Sequence, residues 1–312
     1  MREKGCGYGC AVTGHQMQRY RGRFAPTPSG PLHFGSVVAA LASCLDARAH
    51  GGQWHLRIDD LDARRTVPGA ADDILRCLEA LGFEWDGAVV LQSRRREAYH
   101  ASLHRLRCRG LLYPCCCSRK EIAELATAGV DGPVYPGTCR DAMRAGRPAR
   151  ALRLLTAGAH VRFVDRVLGP QMRDLEQDPG DFALYRADGV YAFHLAAAVD
   201  DAEYGMTDVV RGADLLESSA RQIWLLGQLG LPVPRYAHLP VALTAQGQKL
   251  SKQTRAAPVD AAQPAPVLRQ ALRFLGQAPP AGLEDADVAQ LWRWAVEHWD
   301  LGRVPRVAQS VA

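Results

Sequence analysis

The sequence predicts an α/β fold, a doubly wound parallel sheet interrupted by an inserted subdomain and followed by a short helical C-terminal part. Three observations carry this. Strand-like and helical periods alternate from Arg21 to Leu112, the order breaks down across a cysteine cluster and a Gly/Pro-rich stretch from Tyr113 onward, and alternation returns near Tyr191.

The elements follow in order. Arg21 to Ala25 reads as a strand running into the turn residues Pro26, Pro28, Gly30 and Pro31, and Ser36 to His50 has helical periodicity. Trp54 to Ile58 is a second strand, Pro68 to Leu81 a helix with proline near its start, and Ser93 to Arg109 another helix. Between Tyr113 and Arg186 only short strands near Ala151 and Val161 stand out. Strand candidates at Tyr191 and at Thr207 to Val210 precede a helix from Ser218 to Leu229, stopped by Gly230. An Ala/Pro-rich linker, Ala256 to Pro266, leads to two helical stretches. The implied organisation is a leader over residues 1–20, with Met17 a plausible true start, then the two halves of a nucleotide-binding domain at 21–112 and 191–255. The inserted subdomain lies between them at 113–190, and 256–312 is a linker and short helical region.

Composition narrows the function. The 312 residues are 47% hydrophobic and 23% charged, an ordinary globular balance. No apolar run approaches the roughly 20 residues that cross a bilayer, and the first twenty residues lack the apolar core of a signal peptide. The expected location is the cytoplasm, with no membrane or DNA partner. Nine cysteines without a secretory signal argue against a disulfide framework, and a net charge of +5 suits an RNA partner. Of 38 basic residues only Lys4, Lys120, Lys249 and Lys252 are lysines, so two lysines three apart call for a reason.

Two segments carry phosphate chemistry. Arg23-Phe24-Ala25-Pro26-Thr27-Pro28-Ser29-Gly30-Pro31-Leu32-His33-Phe34-Gly35-Ser36 places a strand, a stiff turn and a helix start in succession. A helix N-terminus offers unpaired N–H groups and a positive dipole end, Gly35 admits a ligand close to the backbone, and His33 can donate to a phosphate oxygen. Taken alone, the same segment is equally a turn whose histidine caps a helix. Far downstream, Gly247-Gln248-Lys249-Leu250-Ser251-Lys252-Gln253 presents two ammonium groups and a hydroxyl on a glycine-led loop, able to neutralise charge as pyrophosphate leaves.

His33-Phe34-Gly35-Ser36 and Lys249-Leu250-Ser251-Lys252-Gln253 together resemble the two signature motifs of class I aminoacyl-tRNA synthetases. Arg23 to Gly35 and Arg57-Ile58-Asp59-Asp60-Leu61-Asp62 resemble the glutamyl branch, and chain length and cysteine pattern look most like the glutamyl-Q tRNA(Asp) synthetase family. The resemblance runs from about Arg21 to Gln253. It implies a Rossmann-type class I core and activation of L-glutamate by ATP with Mg2+, without tRNA, giving glutamyl-adenylate. The glutamyl group then passes to the cyclopentenediol of queuosine in the anticodon loop of tRNA(Asp).

It also implies roles. His33, Lys249, Ser251 and Lys252 would be catalytic, His33, Gly35, Ser36 and Lys252 would hold ATP, and Arg23, Ala25, Thr27, Asp59, Phe193 and Arg211 would hold glutamate. Asp59 would pair with the α-ammonium and Arg211 would clamp a carboxylate. Three positions depart from the family: Asp59 replaces glutamate, Phe193 replaces tyrosine, and Ser36 replaces a second histidine. Cys115, Cys117, Tyr135 and Cys139 form a Cys-x-Cys plus Tyr-x-x-x-Cys set offering three thiolates and a phenolate. The family has the same pattern, which implies one structural Zn2+ per chain. Cys116 would point away, and Cys44, Cys77 and Cys108 would be small core residues. The competing readings are a glutamyl-tRNA synthetase charging a tRNA 3′ end, a non-catalytic zinc-containing RNA-binding paralogue, and a small nucleotidyltransferase of the same superfold.

Overall fold

The computed structural model describes residues 19–130, 132–244, 247 and 257–311. Its first βαβ unit runs β1 (Arg21–Phe24), α1 (Phe34–Ala49), β2 (Gln53–Ile58), α2 (Ala70–Ala80), β3 (Val90–Leu91) and α3 (Arg96–Cys108), with the three strands parallel in the order β1-β2-β3. The inserted part contains β4 (Leu112–Cys115), α4 (Arg119–Leu125), β5 (Ala128–Gly129), β6 (Gly132–Pro133), β7 (Ala151–Leu154), β8 (His160–Asp165), β9 (Gly169–Asp174) and β10 (Ala183–Tyr185). Strands β4 and β10 flank β7 antiparallel, and β8 and β9 form a hairpin. The second half continues with α5 (Phe193–Glu203), β11 (Asp208–Gly212), α6 (Leu216–Leu229), β12 (Arg235–Leu239) and β13 (Val241–Leu243). The chain closes with α7 (Pro264–Phe274), α8 (Val288–His298) and β14 (Gln309–Val311).

Strands β11 and β12 pair in parallel, and β11 packs beside β1, tied by Thr207 N–H donating to Arg21 O at 3.0 Å. The parallel sheets β1-β2-β3 and β11-β12 therefore lie side by side, extending in opposite directions from β1 and β11. The gap between β1 and β11 is the switch point outside whose strand ends an open α/β sheet places its ligands.

Helix composition follows packing. α1 is apolar almost all round because it is enclosed by the sheet on one side and by α7 and α8 on the other. The C-terminal helices are thus no appendage: Leu268, Leu272, Leu291 and Ala295 lie in the same core as Val37, Leu41, Leu45 and Trp54. Gly82 makes this packing possible, since its φ is +78° and a Cβ there would lie 2.7 Å from Val288 Cγ1. A second core, containing Tyr99, Leu195, Val199, Leu225 and Leu226, joins α3, α5 and α6 to the inserted sheet. Among the described residues no helix is long and apolar enough to cross a membrane.

Two sequence expectations are corrected. Tyr191 is not in a strand; it makes a single bridge to Tyr185 and leads into α5, whose Leu-Ala-Ala-Ala-Val run has high helix propensity. Cys44 is a core residue and Cys77 partly so, but Cys108 is exposed at the end of α3, with its sulfur 3.7 Å from His104. Strand β14, which pairs in parallel with β13, has no strong sequence signal.

Asp46, fully buried in α1, ties distant segments together. Its carboxylate accepts from Tyr20 Oη at 2.5 Å, from Arg166 Nη1 and Nη2 at 2.5 and 3.1 Å, and from Trp299 Nε1 at 3.2 Å. Replacing it by alanine leaves the partly buried Arg166 to Asp208 alone, at 3.2 Å, and strands the buried phenol of Tyr20. We expect Asp46→Ala to lower the unfolding free energy by about 3–5 kcal/mol, read from the shift of the urea midpoint, with unfolding in a single transition.

Candidate active site

Residues from β1, the loop after it, α1, β2, α5 and β11 converge on a cavity of about 400 Å³ at the switch point. Arg23, Ala25, Thr27, His33, Gly35, Ser36, Asp59, Phe193 and Arg211 all line it, so the nine expected site residues within the described part of the chain meet in one place. Lys249, Ser251 and Lys252 lie outside the described residues.

The loop between β1 and α1 is held by backbone bonds to the segment that follows β2. Asp59 N–H donates to Pro26 O at 3.0 Å and Val67 N–H to Pro28 O at 2.9 Å. His33 is the N-cap of α1, its Nδ1 accepting from Ser36 N–H at 3.3 Å and its Nε2 lying 3.1 Å from Ser36 Oγ. The capping reading and the phosphate reading are therefore compatible. The helix places its first turn, through Gly35 and Ser36, on the cavity wall, where the positive dipole end favours an anion.

Beneath this turn lies a buried lattice of opposite charges. Arg23 is bidentate to Asp201, Nε and Nη2 both at 3.1 Å, and Arg57 Nη1 donates to the same carboxylate at 2.6 Å. Arg57 also holds Asp59, with Nε 2.7 Å from Oδ1. Asp59 thus meets the cavity already paired, and burial pushes its carboxyl above the usual range against the pull of Arg57. Asp200, next to Asp201, accepts from Gln92 Nε2 at 2.9 Å, Tyr99 Oη at 2.8 Å and Arg95 Nε at 2.8 Å.

Arg211 differs from these arginines. It is 5% exposed and its partners are neutral: Ser219 Oγ at 2.7 Å, Gln222 Oε1 at 2.8 Å, Leu215 O at 3.4 Å and His238 Nε2 at 3.3 Å. Among the described residues no carboxylate lies within ion-pair distance of it. Burial lowers its pKa to about 10, which leaves it charged at neutral pH. A buried cation that touches no carboxylate among the described residues, on a cavity wall it shares with Asp214, can take an anionic group in direct contact.

Sequence reasoning missed Arg57, Asp200 and Asp201 as members of this site. The signal was present: Arg57 lies at the end of β2 with Asp59 just beyond it, and two adjacent aspartates interrupt an otherwise apolar helix. His238 and Ser219 carry no comparable local signal.

The second cluster lies in the inserted part. The sulfurs of Cys115, Cys117 and Cys139 lie within 4.8 Å of one another, Cys117 and Cys139 at 3.6 Å. Tyr135 Oη is 3.4 Å from Cys115 Sγ and 4.0 Å from Cys117 Sγ, and accepts from Cys139 N–H at 3.0 Å. Sulfur ligands about 2.3 Å from one tetrahedral zinc stand about 3.8 Å apart, so the donor set fits such an ion. Without a cation, burial pushes the Cys117 thiol up to about 12. Gly180 backs Tyr135 closely, at φ +74°, where a Cβ would fall 2.5 Å from Tyr135 O. The expectation that Cys116 points away is corrected. β4 ends at Cys115, strand alternation stops there, and the buried Cys116 sulfur lies 3.7 Å from Cys139, although it does not join the group of three.

Comparison with known proteins places these features in a family. The model of the class I tRNA synthetase (E and Q) catalytic domain matches residues 19–276. The glutamyl-Q tRNA(Asp) synthetase of Aromatoleum aromaticum is 56% identical over 293 residues, covering 94% of this chain and 93% of that relative. That of Dechloromonas aromatica is 57% identical over 289 residues, covering 92% of this chain and 96% of the relative. Among solved structures, the glutamate-tRNA synthetase from Elizabethkingia anophelis superposes with a TM-score of 0.77 at 25% identity, over 95% of this chain and 68% of that one.

The charge lattice makes a pH prediction. Burial alone would raise the Asp201 carboxyl, but Arg23 and Arg57 overcome it and hold the pKa at about 2, below the ordinary 3.8. A depressed carboxyl contributes stability that is complete above its unfolded pKa and is lost as the pH falls through the folded one. Unfolding free energy should therefore drop between about pH 4 and about pH 2, and the drop should be shallower in Asp201→Asn, as measured by denaturant titrations at stepped pH.

Proposed function

We propose, on the premise that the chain belongs to the class I (E and Q) tRNA synthetase catalytic-domain family and within it to the glutamyl-Q tRNA(Asp) synthetases, that it activates L-glutamate with ATP in the cytoplasm and transfers it to queuosine in tRNA(Asp). The observation that carries the reading is the pairing, in one cavity, of an unneutralised buried arginine with a helix N-terminus. The first suits the side-chain carboxylate of glutamate and the second the phosphates of ATP.

In the activation step an oxygen of the glutamate α-carboxylate attacks the α-phosphorus in line, and the bond to the bridging oxygen breaks as pyrophosphate leaves with its Mg2+. No protein nucleophile takes part. The protein positions the reactants and stabilises charge: Arg211 holds the side-chain carboxylate, the α1 N-terminus with His33, Gly35 and Ser36 holds phosphate oxygens, and Lys249, Ser251 and Lys252 close over the departing charge. Arg23, Ala25, Thr27 and Phe193 complete the amino-acid wall, and Asp59 offers its carboxylate to the α-ammonium while Arg57 keeps it in place. In the second step a hydroxyl of the queuosine cyclopentenediol attacks the carbonyl carbon of the mixed anhydride and AMP leaves.

The purified protein should exchange labelled pyrophosphate into ATP when glutamate is present and tRNA is absent. Labelled glutamate should then pass to tRNA(Asp) that contains queuosine and to its anticodon stem-loop, and not to tRNA lacking that base. Label at the 3′ terminus, or equal labelling of both tRNAs, would instead mark a glutamyl-tRNA synthetase.

Cys115, Cys117, Tyr135 and Cys139 would hold one zinc ion, which cross-links the inserted subdomain and supplies no reacting group. Metal analysis should find about one zinc per chain. Serine at Cys117 or Cys139 should lower both metal content and the melting temperature, whereas Cys116→Ala should keep the metal. Zinc-free protein of unchanged stability would refute the assignment.

A further inference from the structure

The mechanism uses Arg211 but not the groups that hold it. Next to its guanidinium stand three buried side chains from three separate segments: Ser219 in α6, His238 in β12 and Asp165 at the end of β8. Ser219 Oγ is 2.8 Å from His238 Nε2, and His238 Nδ1 is 2.6 Å from Asp165 Oδ2, with none of the three more than 2% exposed. The order is that of a hydrolytic triad. That chemistry is excluded here, because the Ser219 hydroxyl has no exposed surface and accepts from Arg211 Nη2.

The hydrogen-bond roles follow from the ends of the chain. Asp165 is fixed by Val167 N–H, Leu168 N–H and His238 N–H, which donate to its Oδ1 at 3.0, 2.8 and 3.1 Å and leave Oδ2 for the imidazole. A carboxylate at Nδ1 keeps the ring proton there. Nε2 is then a lone pair, and the Arg211 Nε–H and the Ser219 hydroxyl both lie within reach to donate to it. Burial opposes a second proton on the ring more strongly than Asp165 favours it. Arg211 is thereby oriented by acceptors but touched by no anion. A carboxylate in direct contact would occupy the donors that a substrate needs.

We propose that Asp165 and His238 form a positioning relay, which fixes Arg211 through an imidazole lone pair, keeps its charge available, and so makes the cavity select an amino acid with an anionic side chain over its amide. The inference rests on the reading that Arg211 takes the side-chain carboxylate of glutamate.

Two substitutions of one residue separate the relay from a purely structural role. His238→Asn keeps an N–H near Asp165 but removes the acceptor facing Arg211, whereas His238→Gln places an amide oxygen where Nε2 stood and gives up the bond to Asp165. In glutamate-dependent pyrophosphate exchange, His238→Asn should raise the KM for glutamate by about 10- to 100-fold, while kcat and the KM for ATP change by less than about threefold. His238→Gln should recover most of that loss. Asp165→Asn, which releases the ring proton to either nitrogen, should behave like His238→Asn and narrow the preference for glutamate over glutamine.

The reverse order, with the glutamine variant worse than the asparagine variant, or an unchanged glutamate KM in His238→Asn and Asp165→Asn, would overturn the relay. Arg211→Ala is the control for the underlying reading: an unchanged glutamate KM there sinks that reading itself, while a large rise with silent relay variants sinks only the relay. If His238→Asn does not fold, as judged by thermal unfolding, equilibrium dialysis of labelled glutamate with Asp165→Asn decides the matter in the same terms.

Discussion

The carboxylate of Asp201 is the fixed point of the site. Two arginines from adjacent strands, Arg23 and Arg57, would repel each other across the sheet if they were not sharing it, and neither has solvent to screen its charge. By binding both, Asp201 locks the ends of β1 and β2 to α5, and Arg57 passes the constraint on to Asp59. Removing one member of such a lattice leaves another as an uncompensated buried charge, which explains why the whole set is continuous from Arg23 to Arg95. Its cost in desolvation is offset by geometry: the cavity floor has side chains that cannot rotate.

Against that neutralised floor, Arg211 stands out by contrast. Four of its neighbours orient it, and none cancels it. The two halves of the cavity therefore act differently. The half built on Arg23, Arg57, Asp59 and Asp201 is balanced and rigid, so it favours a zwitterionic group that exchanges contacts one for one. The half at Arg211 has a guanidinium that touches no carboxylate among the described residues, with Asp214 on the same wall, so it leaves room for a ligand that brings an anionic group into contact.

What the sequence disclosed depended on whether the signal was local. The strand-to-helix turn from Arg23 to Ser36 and the Cys-x-Cys pair were legible because backbone course and chemistry lie in one short segment. Arg211 was legible as a strand-end residue, but its lack of a counter-ion was not, since that depends on Ser219, Gln222 and His238 in two other elements. Asp201 was hidden for the same reason: its partners sit 178 and 144 residues away. The reading of Tyr191 as a strand failed where an aromatic residue raised local β-propensity and the alanine-rich run after it decided for helix. Cys116 stays outside the group of three, as expected of the spare cysteine, but it does not point away, because strand alternation ends at Cys115.

The placement of the inserted subdomain now has a physical reason. It breaks the two halves of the sheet apart in sequence, yet it returns one residue pair to the seam between them: Asp165 reaches His238 behind Arg211, and Arg166 reaches Asp46 and Asp208 at the opposite ends of the strands. Adjacent residues on one hairpin thus brace both Arg211 and the α1 helix whose N-terminus lines the same cavity. A shift of the hairpin relative to the sheet would disturb both. The cysteine cluster of the same subdomain starts at the end of β4 in the antiparallel sheet β4-β7-β10, whose Leu154 and Leu184 pack in the core shared with α5 and α6. The placement of Arg211 and of the α1 N-terminus around the cavity therefore depends on the packing of the insert as well as on the strands that carry them.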